Sequence, residues 1–139
     1  MFISKHEVEV RYAETDQMGV VYHANYLIWM DLGRTKLIKE LGFSYKKLEE
    51  DGVLCPVLEA SVKYKKPFRF GETATIHTWI NEYNGIRIVY GYKIFTPNNE
   101  VGIEGTTSHV CVKNDSFKPI NFKKHYPHWH EEYMKAMNK

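Results

Sequence analysis

The sequence predicts an α+β fold in which one long helix near the N-terminus is wrapped by a curved antiparallel sheet. Three observations carry this reading. The longest helical pattern runs from about Tyr22 or His23 to Leu41, roughly 18–20 residues and about 30 Å long. One alternating segment precedes it, and the chain from residue 53 to 112 is almost all period-two alternation. Asn84-Gly85, the strongest short hairpin signal in the chain, sits between two of those later segments.

Each element follows from its own residues. From His6 to Tyr12, Val8, Val10 and Tyr12 share one face and Glu7, Glu9 and Arg11 the other, a half-buried strand. Glu14 to Gly19 breaks the alternation. The first half of the helix, Tyr26 to Met30 with Leu32, is apolar on nearly every side, so it should be enclosed. The second half is amphipathic, with Leu37, Ile38 and Leu41 inward and Arg34, Lys36, Lys39 and Glu40 outward. Asn25 is an alternative N-cap, Gly42 the expected C′ glycine, and Asp31 and Arg34 a structural i,i+3 pair. Gly33 costs about 1 kcal/mol relative to Ala inside a helix, which points to close approach of a sheet.

After a short helical stretch from Ser44 to Asp51 and a turn at Asp51-Gly52, strands are expected at 58–64, 73–80, 86–94 and 101–112. Taken in order they read as a meander of about four strands. Residues 114–139 read as a polar, aromatic-containing tail of uncertain structure, with a short helix near Trp129 to Met137 packing on the surface. The whole chain, 1–139, reads as a single domain without repeats or linkers. One sheet covers only part of such a helix, so a second copy of the chain should cover the rest, giving at least a homodimer.

The chain has 139 residues, 43% hydrophobic and 14% aromatic, enough for one sizeable core. A net charge of +2 argues against a dedicated nucleic-acid binder. Cys55 and Cys111 lie far apart in apolar surroundings and form no CxxC pair; they read as reduced thiols of a cytoplasmic protein. The first residues are too short and polar for a signal peptide, and the longest apolar run, Tyr26 to Met30, is far too short for membrane insertion. No GxSxG, HExxH, P-loop or strand-borne GxGxxG is present. His125, His128 and His130 cluster without further ligands, so no metal site is expected. His77 and His109 read as packed strand residues.

Chemistry concentrates in Arg11 to Tyr26. Asp16 lies in a turn ahead of the helix, near backbone N–H groups that have no partner inside it. A carboxylate that can attack or take a proton, beside donors that can hold an oxyanion, is a minimal acyl-transfer site. On the residues alone, an Asx-turn or a helix cap is the favoured reading of Asp16. Lys63, Lys65, Lys66 and Arg69, interleaved with Tyr64, Phe68 and Phe70, could hold phosphates, contact nucleic acid, or simply form a solvated strand face.

The run Tyr12-Ala-Glu-Thr-Asp16-Gln-Met-Gly19-Val-Val-Tyr22-His23-Ala-Asn-Tyr26, followed by Asp31 and Arg34, resembles the hotdog-fold acyl-CoA thioesterases of the 4-hydroxybenzoyl-CoA thioesterase/YbgC-like branch. Val62 to Glu72, with Pro67 and Gly71, is similar to a second segment of that family, and the likeness spans about residues 5–113. It implies a hotdog fold and hydrolysis of an acyl-CoA to free acid and CoA. Asp16 would be nucleophile or general base, and the backbone N–H near His23 the oxyanion donor, with Tyr22 and His23 contributing side chains or only packing and backbone. Substrate contacts would come from Gly19, Val20, Asn25, Tyr64, Lys65, Lys66 and Arg69. The resemblance also implies active sites shared between subunits of a homodimer or homotetramer, with no cofactor beyond the coenzyme A of the substrate and no nucleic-acid partner. An acyl-carrier-protein thioesterase, or a non-enzymatic acyl-CoA or RNA binder, would use the same architecture.

Overall fold

The computed structural model describes residues 1–138; Lys139, the last residue of the expected domain, lies outside the described residues. Strand β1 (Ser4–Glu9) leads through a single 3-10 turn (Tyr12–Glu14) to α1 (Asn25–Glu40) and α2 (Tyr45–Glu50). There follow β2 (Val53–Leu54), β3 (Val57–Tyr64), β4 (Thr73–Tyr83), β5 (Arg87–Phe95), β6 (Val101–Val110) and β7 (Val112–Lys113). The chain closes with α3 (Phe122–His125) and α4 (Pro127–Asn138). This is the hotdog arrangement, a central helix against a curved five-stranded antiparallel sheet.

The sheet order is β1-β4-β5-β6-β3, which corrects the expected four-strand meander. Strands β4, β5 and β6 do follow one another, but β3 pairs with β6 at one edge while β1 pairs with β4 at the other. The connection from β3 to β4 must therefore cross the end of α1. Phe68 seats that crossing: it is fully buried, edge-on to Trp29 at 5.6 Å and to Tyr26 at 5.9 Å.

Helix α1 starts two or three residues later than expected. Its N-cap is Ala24, with no side-chain cap, so Asn25 does not cap it. Gly42 adopts φ +95°, the left-handed geometry of a C′ residue. Gly33 lies against β4, where an added Cβ would stand 2.8 Å from Cγ2 of Ile76 and collide with the Thr78 hydroxyl. Tyr26, Trp29, Met30, Leu37 and Ile38 are buried, but Leu27, Ile28 and Leu32 remain 44%, 52% and 42% exposed. Within one chain the helix is thus enclosed on one side only. Tyr12 also departs from expectation: β1 ends at Glu9, and the 3-10 turn swings Tyr12 outward.

The tail is not a surface appendage. Ile120, Phe122, Trp129, Tyr133 and Ala136 join the core, because α4 carries Trp129, Tyr133 and Ala136 at i, i+4, i+7. Tyr133 shares a hydroxyl–hydroxyl bond of 2.7 Å with Tyr90 of β5, and Trp129 stacks on Phe43 at 4.5 Å.

Cys55 and Cys111 form a disulfide, which overturns the reading of two reduced thiols and removes its argument for the cytoplasm. Their separation of 56 residues hid the proximity that β3–β6 pairing creates. Among the described residues no helix is long and apolar enough to cross a membrane, and no three His, Cys, Asp or Glu side chains converge on a metal-sized site.

Candidate active site

The residues between β1 and α1 fold into a small tight loop. Thr15 and Val21 bridge across it, the amide of Asp16 donates to the Val20 carbonyl (2.9 Å), and that of Gly19 to the Asp16 carbonyl (2.9 Å). Gly19 sits at φ +78°, where a Cβ would strain the backbone. Oδ1 of Asp16 accepts the Met18 amide at 2.8 Å, an Asx-type turn that fixes the carboxylate. Of the readings of Asp16, the Asx-turn is what the structure shows: Asp16 does not cap the helix, whose N-cap lies eight residues further on, and its second oxygen has no protein donor among the described residues.

Asp16 opens into a cleft of about 310 Å³ lined with Val20, Val21, His23, Tyr26, Tyr64 and Ile103, with Lys65 and Lys66 at its edge. The backbone amides of His23 and Ala24, at the opening of α1, have no protein acceptor among the described residues. They are the unspent donors of the helix start, and the positive end of the helix dipole lies there. Tyr64 donates from its hydroxyl to the His23 carbonyl over a long 3.4 Å. Burial pushes the Tyr26 phenol up to about 12, so the wall it forms is neutral.

Not every expected residue reaches this cleft. Gly19 shapes the turn but does not line the cleft, and neither do Tyr22, Asn25 and Arg69. Tyr22 is exposed with its ring 4.3 Å from that of His23. Asn25 turns away and donates from Nδ2 to the Glu14 carbonyl at 2.8 Å. The basic cluster is split: Lys65 pairs with Glu104 at 2.8 Å and Lys66 with Glu100, while Phe68 is a core residue. Of the tail histidines, His130 bonds the Tyr83 hydroxyl at 2.7 Å and His128 packs edge-on to Phe43.

A second groove of about 390 Å³ lies further along α1, lined by Leu27, Ile28, Met30, Val57, Ala60 and a polar end of Asp31, Tyr92, Thr107 and His109. The polar end is a chain of bonds. Arg34 pairs with Asp31 at 2.9 Å and donates to Nδ1 of His109 at 2.9 Å; His109 reaches Thr107 at 2.9 Å, and Thr107 meets the Tyr92 hydroxyl at 2.8 Å. Burial, then the facing Arg34 charge, lowers His109 to about 4, so its ring is neutral at neutral pH. Sequence reasoning passed over this chain because its members come from α1, β5 and β6 and meet only through sheet pairing.

Glu14 was also missed. It is 4% exposed, and its oxygens accept the Arg11 amide at 2.9 Å, the Trp29 indole N–H at 2.8 Å and the Arg11 guanidinium at 3.2 Å. A carboxylate flanked by Tyr12 and Asp16 in a polar stretch carries no sequence signal of burial.

Comparison with known proteins places the chain in a family. A sequence model of the Thioesterase-like superfamily matches residues 10–130. The chain is 60% identical to YneP of Bacillus subtilis, an inferred acyl-CoA thioesterase, over 98% of this chain and 99% of that one. It is 32% identical to the acyl-CoA thioester hydrolase YbgC of Escherichia coli over 81% of this chain and 84% of that one. The structure of a DHNA-CoA thioesterase from Staphylococcus aureus superposes with a TM-score of 0.96 at 43% identity, covering 99% of this chain and 93% of that one. That of the BH1999 gentisyl-coenzyme A thioesterase gives 0.77 at 26%, covering 84% and 94%. With a family model matched over most of its length and a relative at 60% identity, the chain belongs to the thioesterase-like superfamily.

Proposed function

We propose that the protein hydrolyses acyl-CoA thioesters to a carboxylic acid and free coenzyme A, with Asp16 as the reactive carboxylate. The observation that carries this reading is one cleft lined by both Asp16, whose second carboxylate oxygen has no protein donor among the described residues, and His23, whose backbone amide has no protein acceptor among them. Asp16 attacks the thioester carbonyl carbon, or takes a proton from the water that does; charge developing on the carbonyl oxygen falls to the His23 amide; the coenzyme A thiolate leaves. On the first route a water then opens the acyl–Asp16 anhydride to release the acid and restore the carboxylate. Removing one such oxyanion donor typically costs about 3–4 kcal/mol of barrier. A second copy of the chain covers Leu27, Ile28 and Leu32 together with the exposed edge β3, where Val57 and Leu58 are 55% and 56% exposed, and so completes a shared site.

The acyl group runs along α1 into the second groove. There the hydrogen-bond count favours a substrate carrying an acceptor oxygen. Arg34 has only donors, so Nδ1 of His109 accepts and Nε2 carries the proton given to Thr107. Tyr92 and Thr107 then share one bond between two hydroxyls, leaving one O–H for a ligand. Hydroxylated aromatic acyl groups fit this apolar groove with its polar end. The names of two structural relatives, acting on DHNA-CoA and gentisyl-coenzyme A, agree.

The test is thiol release from short, long and hydroxyaryl acyl-CoAs and the matching carrier-protein thioesters, on wild type and Asp16→Asn. Hydroxyaryl-CoA should turn over fastest. Asp16→Asn should lose turnover by ~10³-fold with an unchanged unfolding midpoint; retained turnover removes Asp16 from the reaction. In a single turnover in ¹⁸O-water, label in Asp16 establishes the nucleophilic route, with the anhydride opened at the Asp16 carboxyl carbon.

A further inference from the structure

We propose that Glu14 is a positioning residue for the acyl-transfer step, holding the Asp16 turn at a fixed offset from the opening of α1. The inference rests on Asp16 being the reactive carboxylate, and it goes beyond that reading by naming what aims it.

The geometry is a closed ring of contacts around the turn. The Glu14 side chain reaches the second turn of α1 through Trp29, whose indole N–H donates to Oε2 at 2.8 Å. The Glu14 backbone carbonyl accepts two donors from the segment that opens the helix, the Tyr22 amide at 2.8 Å and Asn25 Nδ2 at 2.8 Å. Trp29 is itself fully buried, edge-on to Tyr26 at 5.3 Å and to Phe68 at 5.6 Å. Phe68 returns to the turn through its carbonyl, which accepts the Val21 amide at 2.9 Å. Asp16 lies between Glu14 and Val21, so both stems of its loop are tied to one rigid indole.

A carboxylate is a costly way to fill this space. Desolvating it works against folding, and an apolar residue of similar volume would often serve stability as well or better. What an apolar residue cannot do is accept bonds from two fixed directions, here the Arg11 amide and the Trp29 indole. Burial raises the Glu14 pKa, yet these N–H donors and the Arg11 charge outweigh it and hold the carboxyl below its ordinary value. The ionised, two-sided acceptor is thus the form the fold maintains. A misplacement of about 1 Å between reacting groups can cost ~10²-fold in rate, so a tether of this kind acts on turnover more than on substrate binding.

The experiment compares wild type with Trp29→Phe, which keeps a buried ring and loses the N–H, and with Glu14→Gln and Glu14→Ala. The readouts are kcat and KM on one acyl-CoA, the dissociation constant for coenzyme A, and the unfolding midpoint. The expected result is kcat lower by about 10-fold for Trp29→Phe and about 100-fold for Glu14→Ala, with Glu14→Gln between them. KM and coenzyme A affinity should stay within about 2-fold, since the cleft itself is intact. Wild-type kcat in folded Trp29→Phe and Glu14→Gln overturns the proposal. So does a loss of activity that only tracks the unfolded fraction. Asp16→Asn run alongside separates the two readings: if it keeps turnover the catalytic reading fails, and if it alone loses turnover only the positioning role fails.

Discussion

The two ends of α1 are built on opposite terms. Toward its C-terminus distant elements close on one another: Phe43 stacks on Trp129, Tyr133 bonds Tyr90, and the Cys55–Cys111 bond ties the entry of β3 to the end of β6, though the buried Trp129 indole N–H has no partner among the described residues. Toward its N-terminus, among the described residues, donors are unpaired, one oxygen of Asp16 has no donor, and Leu27 and Ile28 lie in solvent. The lesson is a division of labour along one helix. In the proposed mechanism the unmatched groups are the reactive ones, and they are tolerated at one end because the other end supplies the stability that pays for them.

If stability resides at the closed end, the largest effect comes from opening it. Reducing the disulfide, or replacing both cysteines by Ser, should lower unfolding stability by about 4 kcal/mol on the chain-entropy account for a separation of 56 residues. Turnover of the remaining folded protein should be nearly unchanged. Denaturant melts with and without reductant check this, and a parallel collapse of turnover would break the comparison.

His109 sits where the two ends join, and its titration sharpens the boundary. The folded protein keeps it neutral until about pH 4, whereas the unfolded chain protonates it near 6.5. Its folded pKa is depressed, so its contribution is fully present above about 6.5 and is lost as pH falls toward 4. The expected loss is roughly 3 kcal/mol across that window, and His109→Gln should flatten this part of the stability–pH curve. A curve with the same slope in the variant would remove His109 from the account.

The smallest effect tests the middle of the helix. Gly33→Ala gains about 1 kcal/mol of helix propensity but forces a methyl onto Ile76 and Thr78. The close contact wins, for a net loss of about 1–2 kcal/mol in unfolding stability. A gain in stability would mean that α1 lies looser on the sheet than this packing implies.

Much of this molecule was legible because it is local. The Gly33 approach, the Gly42 cap, the Asp31–Arg34 pair and the Asn84-Gly85 hairpin each depend on residues a few positions apart. The Asp16 turn was legible for the same reason, as was its nearness to the helix opening. Glu14, the Thr107–His109–Arg34 chain and the cysteine pair were not, since each is made by elements that only sheet pairing brings together. Asn25 was misassigned because Asn favours an N-cap on its own, while here the Glu14 carbonyl competes for its amide.

The sequence alone determined the long helix and the four later strands in outline, and that a carboxylate precedes the long helix, because periodicity and turn chemistry act over a few residues. Only the tertiary structure decided that β3 crosses to the far edge, that the tail enters the core, and that Glu14 is buried under Trp29. Those outcomes turn on competition among distant surfaces for the same apolar space, and no window along the chain contains both competitors.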